Sequence, residues 1–231
     1  MNLQDLFSKY DRLFVFDTET TGLSAKDDQI IEFAAVVVDN IQGVPTVIRE
    51  YDQLITLDPG TTIPPLITNL THITNEMVAA QGITKAQVCR DIADMLTDRT
   101  LLLAYNANFD LCFTYYLLAK HGNAGILQGK DKLDLLTVYK DRYPYPHKLQ
   151  NAIESYGLQD KVQNSHRAVD DVLATVEVML QMDAQKSDLL NYVNLFGFVP
   201  KYGPPKDQIR TVTYKPQPYH EGTPIAPLYQ L

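Results

Sequence analysis

At 231 residues, with 45 % apolar and 21 % charged side chains, the chain is sized for one α/β domain, or one domain with an appendage, and can bury a substantial core. Its net charge of −8 argues against a protein that coats nucleic acid with a basic surface, but not against one that engages phosphates through divalent ions held by acids. No apolar run reaches the roughly 20 residues of a spanning helix, and the opening MNLQDLFSKYDRL lacks the features of a signal peptide, so a cytoplasmic protein without membrane contact is expected.

Residues 1–12 read as a short polar lead-in. Residues 13–19 form a strand in which an apolar run stops on Asp17 and Glu19. Alternation along a strand points both carboxylates the same way, and two like charges in one place raise a pKa unless a cation lies between them. Taken alone, these acids fit a solvated strand end, with a turn at Thr20, Thr21 and Gly22, as well as they fit a site. Residues 30–38 are a second strand, nearly continuous in apolar residues and so buried on both faces; Glu32 interrupts it and is read as a structural sheet-face acid. A turn at 39–43 leads to a third, more polar strand over 46–56, completing an antiparallel meander.

Pro59-Gly60 and Ile63-Pro64-Pro65 break this pattern. Short helical pieces are expected over 66–80, then a helix from the Thr84-Lys85-Ala86-Gln87 cap to about residue 97. A fourth strand over 100–105 runs into Asn106, and a helix continues to about residue 120 with Phe109, Phe113, Tyr116 and Leu117 facing inward. Asp110 at that junction serves either the helix dipole or a site. Residues 132–139 and 147–156 read as two further helices, the second closed by Gly157. The segment 164–171 opens a last helix with an apolar stripe of Val169, Val172, Leu173, Val176 and Leu180. Cys89 and Cys112 are isolated and read as two buried, reduced thiols. From Pro200 the texture changes: seven of the 13 prolines lie there among Tyr202, Tyr214, Tyr219 and Tyr229, and Lys201, Lys206, Arg210 and Lys215 outnumber Asp207 and Glu221. This reads as an extended, weakly basic extension.

Three distant elements thus present carboxylates: Asp17 and Glu19, Asp110, and Asp170 or Asp171 beside His166. Oxygen ligands of this number suit Mg²⁺ or Mn²⁺ and disfavour zinc. Two such ions about 4 Å apart can stabilise the attacking and leaving oxygens of a phosphodiester. His166 is placed to act as general base, since histidine titrates nearest neutral pH. His72, His121, His147 and His220 have no comparable neighbours.

The motifs FDTETTGL (16–23), AYNANFDLCF (104–113) and HRAVDD (166–171), in that order, resemble the DEDDh group of the DnaQ-like 3′-to-5′ exonucleases, of the proofreading, DNA polymerase III epsilon-like type. Weaker echoes are THITNEM (71–77) and HKLQNAIESYGL (147–158), and the likeness spans about residues 13–182. The resemblance implies a ribonuclease-H-like α/β fold: a mixed five-stranded sheet, with strands 1–3 as the antiparallel meander and the remaining strands parallel, flanked by helices. It implies Asp17, Glu19, Asp110 and Asp171 as ligands of two Mg²⁺ or Mn²⁺ ions and His166 as the base. Its spacing selects Asp171 over Asp170, which is then expected to be exposed or salt-bridged. It places the terminal nucleotide against Thr20, Thr21, Gly22 and Leu23, with Asn106 and Phe109 also at the substrate. Tyr105 stands where many relatives have His, which is expected to alter the floor of the nucleotide pocket. The implied activity is release of nucleoside 5′-monophosphates from the 3′ end of single-stranded DNA; trimming of RNA, or a polymerase-associated binding subunit, are the alternatives. Residues 1–185 are expected to form the exonuclease domain, and residues 186–231 an extension that could dock a DNA polymerase.

Overall fold

The computed structural model describes residues 3–218 and 225–231, so Tyr219, His220 and Glu221 lie outside the described residues. After a short helix α1 (Gln4–Lys9), strands β1 (Arg12–Thr20), β2 (Ile30–Ile41) and β3 (Val44–Leu54) form the expected meander. Helices α2 (Pro65–Thr71), α3 (Asn75–Gln81) and α4 (Lys85–Met95) follow. Thr84 caps α4 by accepting from the Gln87 amide. Strand β4 (Thr100–Ala104) then enters the sheet parallel to β1, and α5 (Ala107–His121) leaves it.

One element differs from expectation. Residues 132–134, expected to begin a helix, are strand β5 (Lys132–Asp134), paired in parallel with β4, and the helix α6 (Leu135–Arg142) starts only afterwards. The reason lies in Asp134, whose carboxylate accepts from the amides of Leu136 and Thr137 and so fixes the helix start behind it. Three residues are too few to show a period of two. Helices α7 (Leu149–Ser155) and α8 (Ala168–Gln185) complete the fold, with Gly157 in a left-handed conformation (φ 66°) just beyond α7. The sheet order β3-β2-β1-β4-β5 is mixed and five-stranded, the ribonuclease-H-like arrangement.

The alternation of β1 divides the core. Leu13 and Val15 pack with α6, α7 and α8, while Phe14 and Phe16 pack with α4 and α5. Asp17 and Glu19 continue the first series and Thr18 the second. Pairing of β1 with β4 ends at Val15 and Leu103, so the two parallel strands separate at their C-terminal ends just where Asp17 begins. Crevices of this kind are where open α/β sheets place ligands.

The C-terminal extension is not simply extended. Strands β6 (Leu195–Phe198) and β7 (Thr213–Pro216) pair in parallel. Gln217 is buried, donating to the Thr137 carbonyl and to Asp141 at 2.8 Å each, and Leu228 is fully buried in the core of α6 and α8. Its apolar residues find cover on the main domain, which composition could not reveal. Of the two thiols, Cys89 is buried and Cys112 only half-buried, and both are free. Among the described residues no helix is long and apolar enough to cross a membrane.

Candidate active site

The acids meet at the open end of the sheet. Glu19, His166 and Asp171 bring their ligand atoms within 4.8 Å of one another, so one ion could touch all three. Asp17 and Asp110 are not in this tight group, but Asp17 feels the charges of Asp110, Asp171 and Glu19. Asp110 is buried in the first turn of α5, where its Oδ1 accepts from the Thr18 amide at 3.0 Å and the Thr18 hydroxyl at 2.8 Å. Thr18, one step along the strand from both Asp17 and Glu19, thereby ties α5 to β1. No sequence signal marked it.

Electrostatics confirm the crowding. Burial is the first cause that raises every one of these carboxyls. Burial together with Asp171, Glu32 and Asp110 pushes Glu19 up to about 8, opposed by Arg167. Asp110 stands at about 7 because burial outweighs the hydrogen bonds from Thr18. Asp171 also stands at about 7, with burial and the neighbouring Asp170 outweighing its bond to Asn164. Asp17 is held well above the ordinary carboxylate range by burial and then by Asp110. Asp171 Oδ1 is buried with no hydrogen-bond partner. An orphaned oxygen among acids that resist ionisation is the arrangement a bound divalent cation would relieve, so the donor set fits such an ion.

His166 lies on the segment before α8 in a left-handed conformation (φ 57°), with its ring exposed beside Glu19 and Asp171. What fixes it there is the pair Glu32–Arg167. Glu32 is wholly buried and faces Glu19 across the β1–β2 register. Its Oε1 accepts from both Arg167 Nε, at 2.9 Å, and Arg167 Nη2, and its Oε2 accepts from the Ala168 amide at 2.7 Å. Glu32 therefore holds the first turn of α8 against the sheet. The sequence did carry a signal: an acid in a continuously apolar strand needs a cation, and Arg167 adjoins His166. Asp170 is partly buried and accepts from Ser165 Oγ and Gln163 Nε2, so it is neither exposed nor salt-bridged as expected.

The residues expected at the substrate differ widely in exposure. Thr20 and Thr21 are buried; the Thr20 hydroxyl donates to the Gly22 carbonyl at 2.6 Å, and the Thr21 hydroxyl accepts from the Gln29 amide at 3.0 Å. Gly22 is required because a Cβ there would lie 2.4 Å from Asp28 Oδ2, the atom that accepts from the Ser24 amide. Leu23 is 88 % exposed, an apolar side chain directed at solvent next to the acids. Asn106 occupies the N-cap position of α5 in a left-handed conformation (φ 71°) without a side-chain capping bond, and Phe109 lies half-buried with its ring centroid 4.8 Å from that of Phe113. The hydroxyl of Tyr105 donates to the carbonyls of His147 and Lys148, and its ring packs in the core near Tyr139. His72, His121 and His147 lie outside the cluster.

Residues 14–179 match the family described as Exonuclease (RNase_T). The chain belongs to this exonuclease family. Among relatives of the exonuclease, the DNA polymerase III subunit epsilon of Treponema pallidum (strain Nichols) is 33 % identical over 175 residues, covering 73 % of this chain and 75 % of the relative. A DNA polymerase III PolC-type protein of Lacticaseibacillus paracasei is 30 % identical over 184 residues, which is 78 % of this chain and 12 % of that protein. In three dimensions the exonuclease is similar to Escherichia coli exonuclease I in complex with a dA16 oligonucleotide, with a TM-score of 0.69 at 22 % identity, over 79 % of this chain and 42 % of that one. The shared fold is ribonuclease-H-like, as the resemblance implied. The chain thus spans a small part of PolC and less than half of exonuclease I.

Proposed function

We propose that this exonuclease is of the DEDDh group and removes nucleoside 5′-monophosphates from the 3′ end of single-stranded DNA, using two Mg²⁺ or Mn²⁺ ions. The observation that carries this reading is the convergence of Glu19, His166 and Asp171 on one point, with Asp17 and Asp110 within electrostatic reach. DNA as substrate is supported by the names of the relatives, a polymerase III subunit and an exonuclease bound to a deoxyoligonucleotide.

Asp17, Glu19, Asp110 and Asp171 would hold the ions, which when bound supply charge neutralisation at the phosphate and a lowered pKa for water. The remaining work belongs to the chain. His166, exposed at the mouth of the cluster, takes the proton of the attacking water on a ring nitrogen and releases it to solvent. Thr20, Thr21 and the Gly22 turn seat the terminal sugar, Leu23 covers its base, and Asn106 and Phe109 bound the far side.

A labelled single strand should lose mononucleotides from its 3′ end in Mg²⁺ or Mn²⁺ and none in EDTA. Asp17→Ala should lower the rate by at least a hundredfold; a variant as fast as the parent would remove Asp17 from the site. Matched RNA degraded faster than DNA would move the enzyme to RNA trimming. A polymerase contact through the extension is the lesser part of the proposal, supported by the relative's name alone. Failure of the full chain to retain a DNA polymerase III catalytic subunit in pulldown would overturn it.

A further inference from the structure

A cavity of about 410 Å³ opens beside the N-terminus of α5, between the main domain and the C-terminal extension. Asn106, proposed above to bound the substrate, and Asn108 form part of its wall, at the same end of α5 as Asp110. Opposite stand Lys140 from α6, and Phe198, Tyr202, Lys206 and Tyr214 from the extension. The two parts are joined at the turn that carries Asp110. Asn108 Nδ2 donates to the Asp207 carbonyl at 3.1 Å, its Oδ1 accepts from the Tyr214 hydroxyl, and that hydroxyl accepts from the Ile209 amide at 3.1 Å.

The charge in this cavity runs against that of the chain. Asp134 lines it, but its carboxylate already accepts from the amides of Asn106, Ala107, Leu136 and Thr137 and from the Thr137 hydroxyl. Lys140 and Lys206 have no ion pair or hydrogen bond among the described residues. Lys140 is half-buried, and desolvation lowers its pKa by more than the charge of Asp134 restores it. Tyr202 is 77 % exposed at the rim with Lys201 over its ring at 5.4 Å. Lysines without an ion pair beside an exposed aromatic ring are the chemistry that holds a single strand without reading its sequence, phosphates on the cations and bases on the ring. A volume of this size is in the range of small-ligand sites.

We propose that the cavity is a subsite for a nucleotide on the 5′ side of the scissile phosphate, with Lys140 and Lys206 on the backbone and Tyr202 against a base. The C-terminal extension is then a wall of the substrate path. The inference rests on the exonuclease reading above and adds to it where the strand runs before it reaches the acids.

The test uses the full chain, the double variant Lys140→Gln/Lys206→Gln, and Tyr202→Ala, whose ring is 77 % exposed. Affinity for a fluorescent oligothymidylate is followed by anisotropy in Ca²⁺ across salt concentrations. Turnover in Mg²⁺ is followed on that oligonucleotide and on the p-nitrophenyl ester of thymidine 5′-monophosphate, which has no upstream nucleotide. The double variant should bind about tenfold more weakly, with the slope of log K against log salt reduced by about 1.4, the loss of two single-strand phosphate contacts. Tyr202→Ala should weaken binding about fivefold. In both, KM for the oligonucleotide should rise more than KM for the ester. Equal affinity and an unchanged salt slope would overturn the subsite and turn attention to an acidic protein segment as occupant. If the parent cleaves neither substrate, the exonuclease reading fails, and the anisotropy still decides the subsite.

Discussion

Glu19 illustrates how much of this protein's chemistry is stored in single carboxyls. Its pKa is pushed up to about 8, and those of Asp110 and Asp171 to about 7, from ordinary values near 4. An acid whose folded pKa is raised binds its proton more tightly in the folded state, so its contribution is favourable below the unfolded value and is lost as pH rises through the folded one. The metal-free protein should therefore lose stability between about pH 4 and pH 8, seen as a falling Tm. Glu19→Gln, which cannot ionise, should flatten that decline. Added Mg²⁺ should raise the parent Tm at pH 8 more than that of the variant, by mass action on the folded state; equal shifts would separate Glu19 from the ion. His166→Ala tests the neighbouring role. It should lower kcat by about a hundredfold or more while Mn²⁺ titration by electron paramagnetic resonance shows ions still bound, because a base acts on water and not on the cation. Equal loss of Mn²⁺ in His166→Ala and Asp171→Ala would make the histidine a ligand instead.

At the scale of elements, the candidate site draws on β1, α5 and α8, and Glu32 links α8 to the sheet. Its bonds to Arg167 and to the Ala168 amide set where α8 begins, and hence where His166 and Asp171 arrive. Glu32→Gln keeps the shape but removes the charge that holds Arg167, and should cost roughly 1.5–3 kcal/mol of stability in urea denaturation. Its kinetic signature should be a fall in kcat with little change in KM, because the catalytic group and not the nucleotide's seat is displaced. A variant that lost stability but kept kcat would reduce the pair to a structural brace. The strand positions themselves were legible. Period-two alternation in β1 put Asp17 and Glu19 on one face before any fold was known, and the apolar run of β2, interrupted by Glu32, announced a strand buried on both sides. Strand β5 was not legible, since three residues ending in a helix cap show neither period, and only pairing with β4 defines them.

Across the whole molecule, the extension is the part whose conformation departs most from expectation. Leu228 is fully buried against α6 and α8, and the Leu228 amide donates to Asp141 at 2.6 Å. Leu228→Ala should cost about 2–5 kcal/mol while the protein still unfolds in a single transition. A separate low-stability transition, leaving the main melt unshifted, would show instead that the extension is an independent flap. The composition of this segment, rich in proline and tyrosine, matches an extended chain and a packed one equally, because the difference lies in the surface it meets.

The candidate reacting groups were legible in the sequence itself. Acids that interrupt apolar runs at strand and helix ends are local features, and the three motifs that contain Asp17 and Glu19, Asp110, and His166 and Asp171 carry the family resemblance in their order. What only the tertiary structure decided is how these groups are held and what surrounds them. Thr18 on Asp110 and Glu32 on Arg167 are contacts between residues far apart in the chain, and Lys140, Lys206, Tyr202 and Tyr214 come from distant segments to line one cavity with Asn106. Periodicity reports which face a side chain occupies; which side chain it meets there depends on the packing of whole elements, and no local pattern contains that.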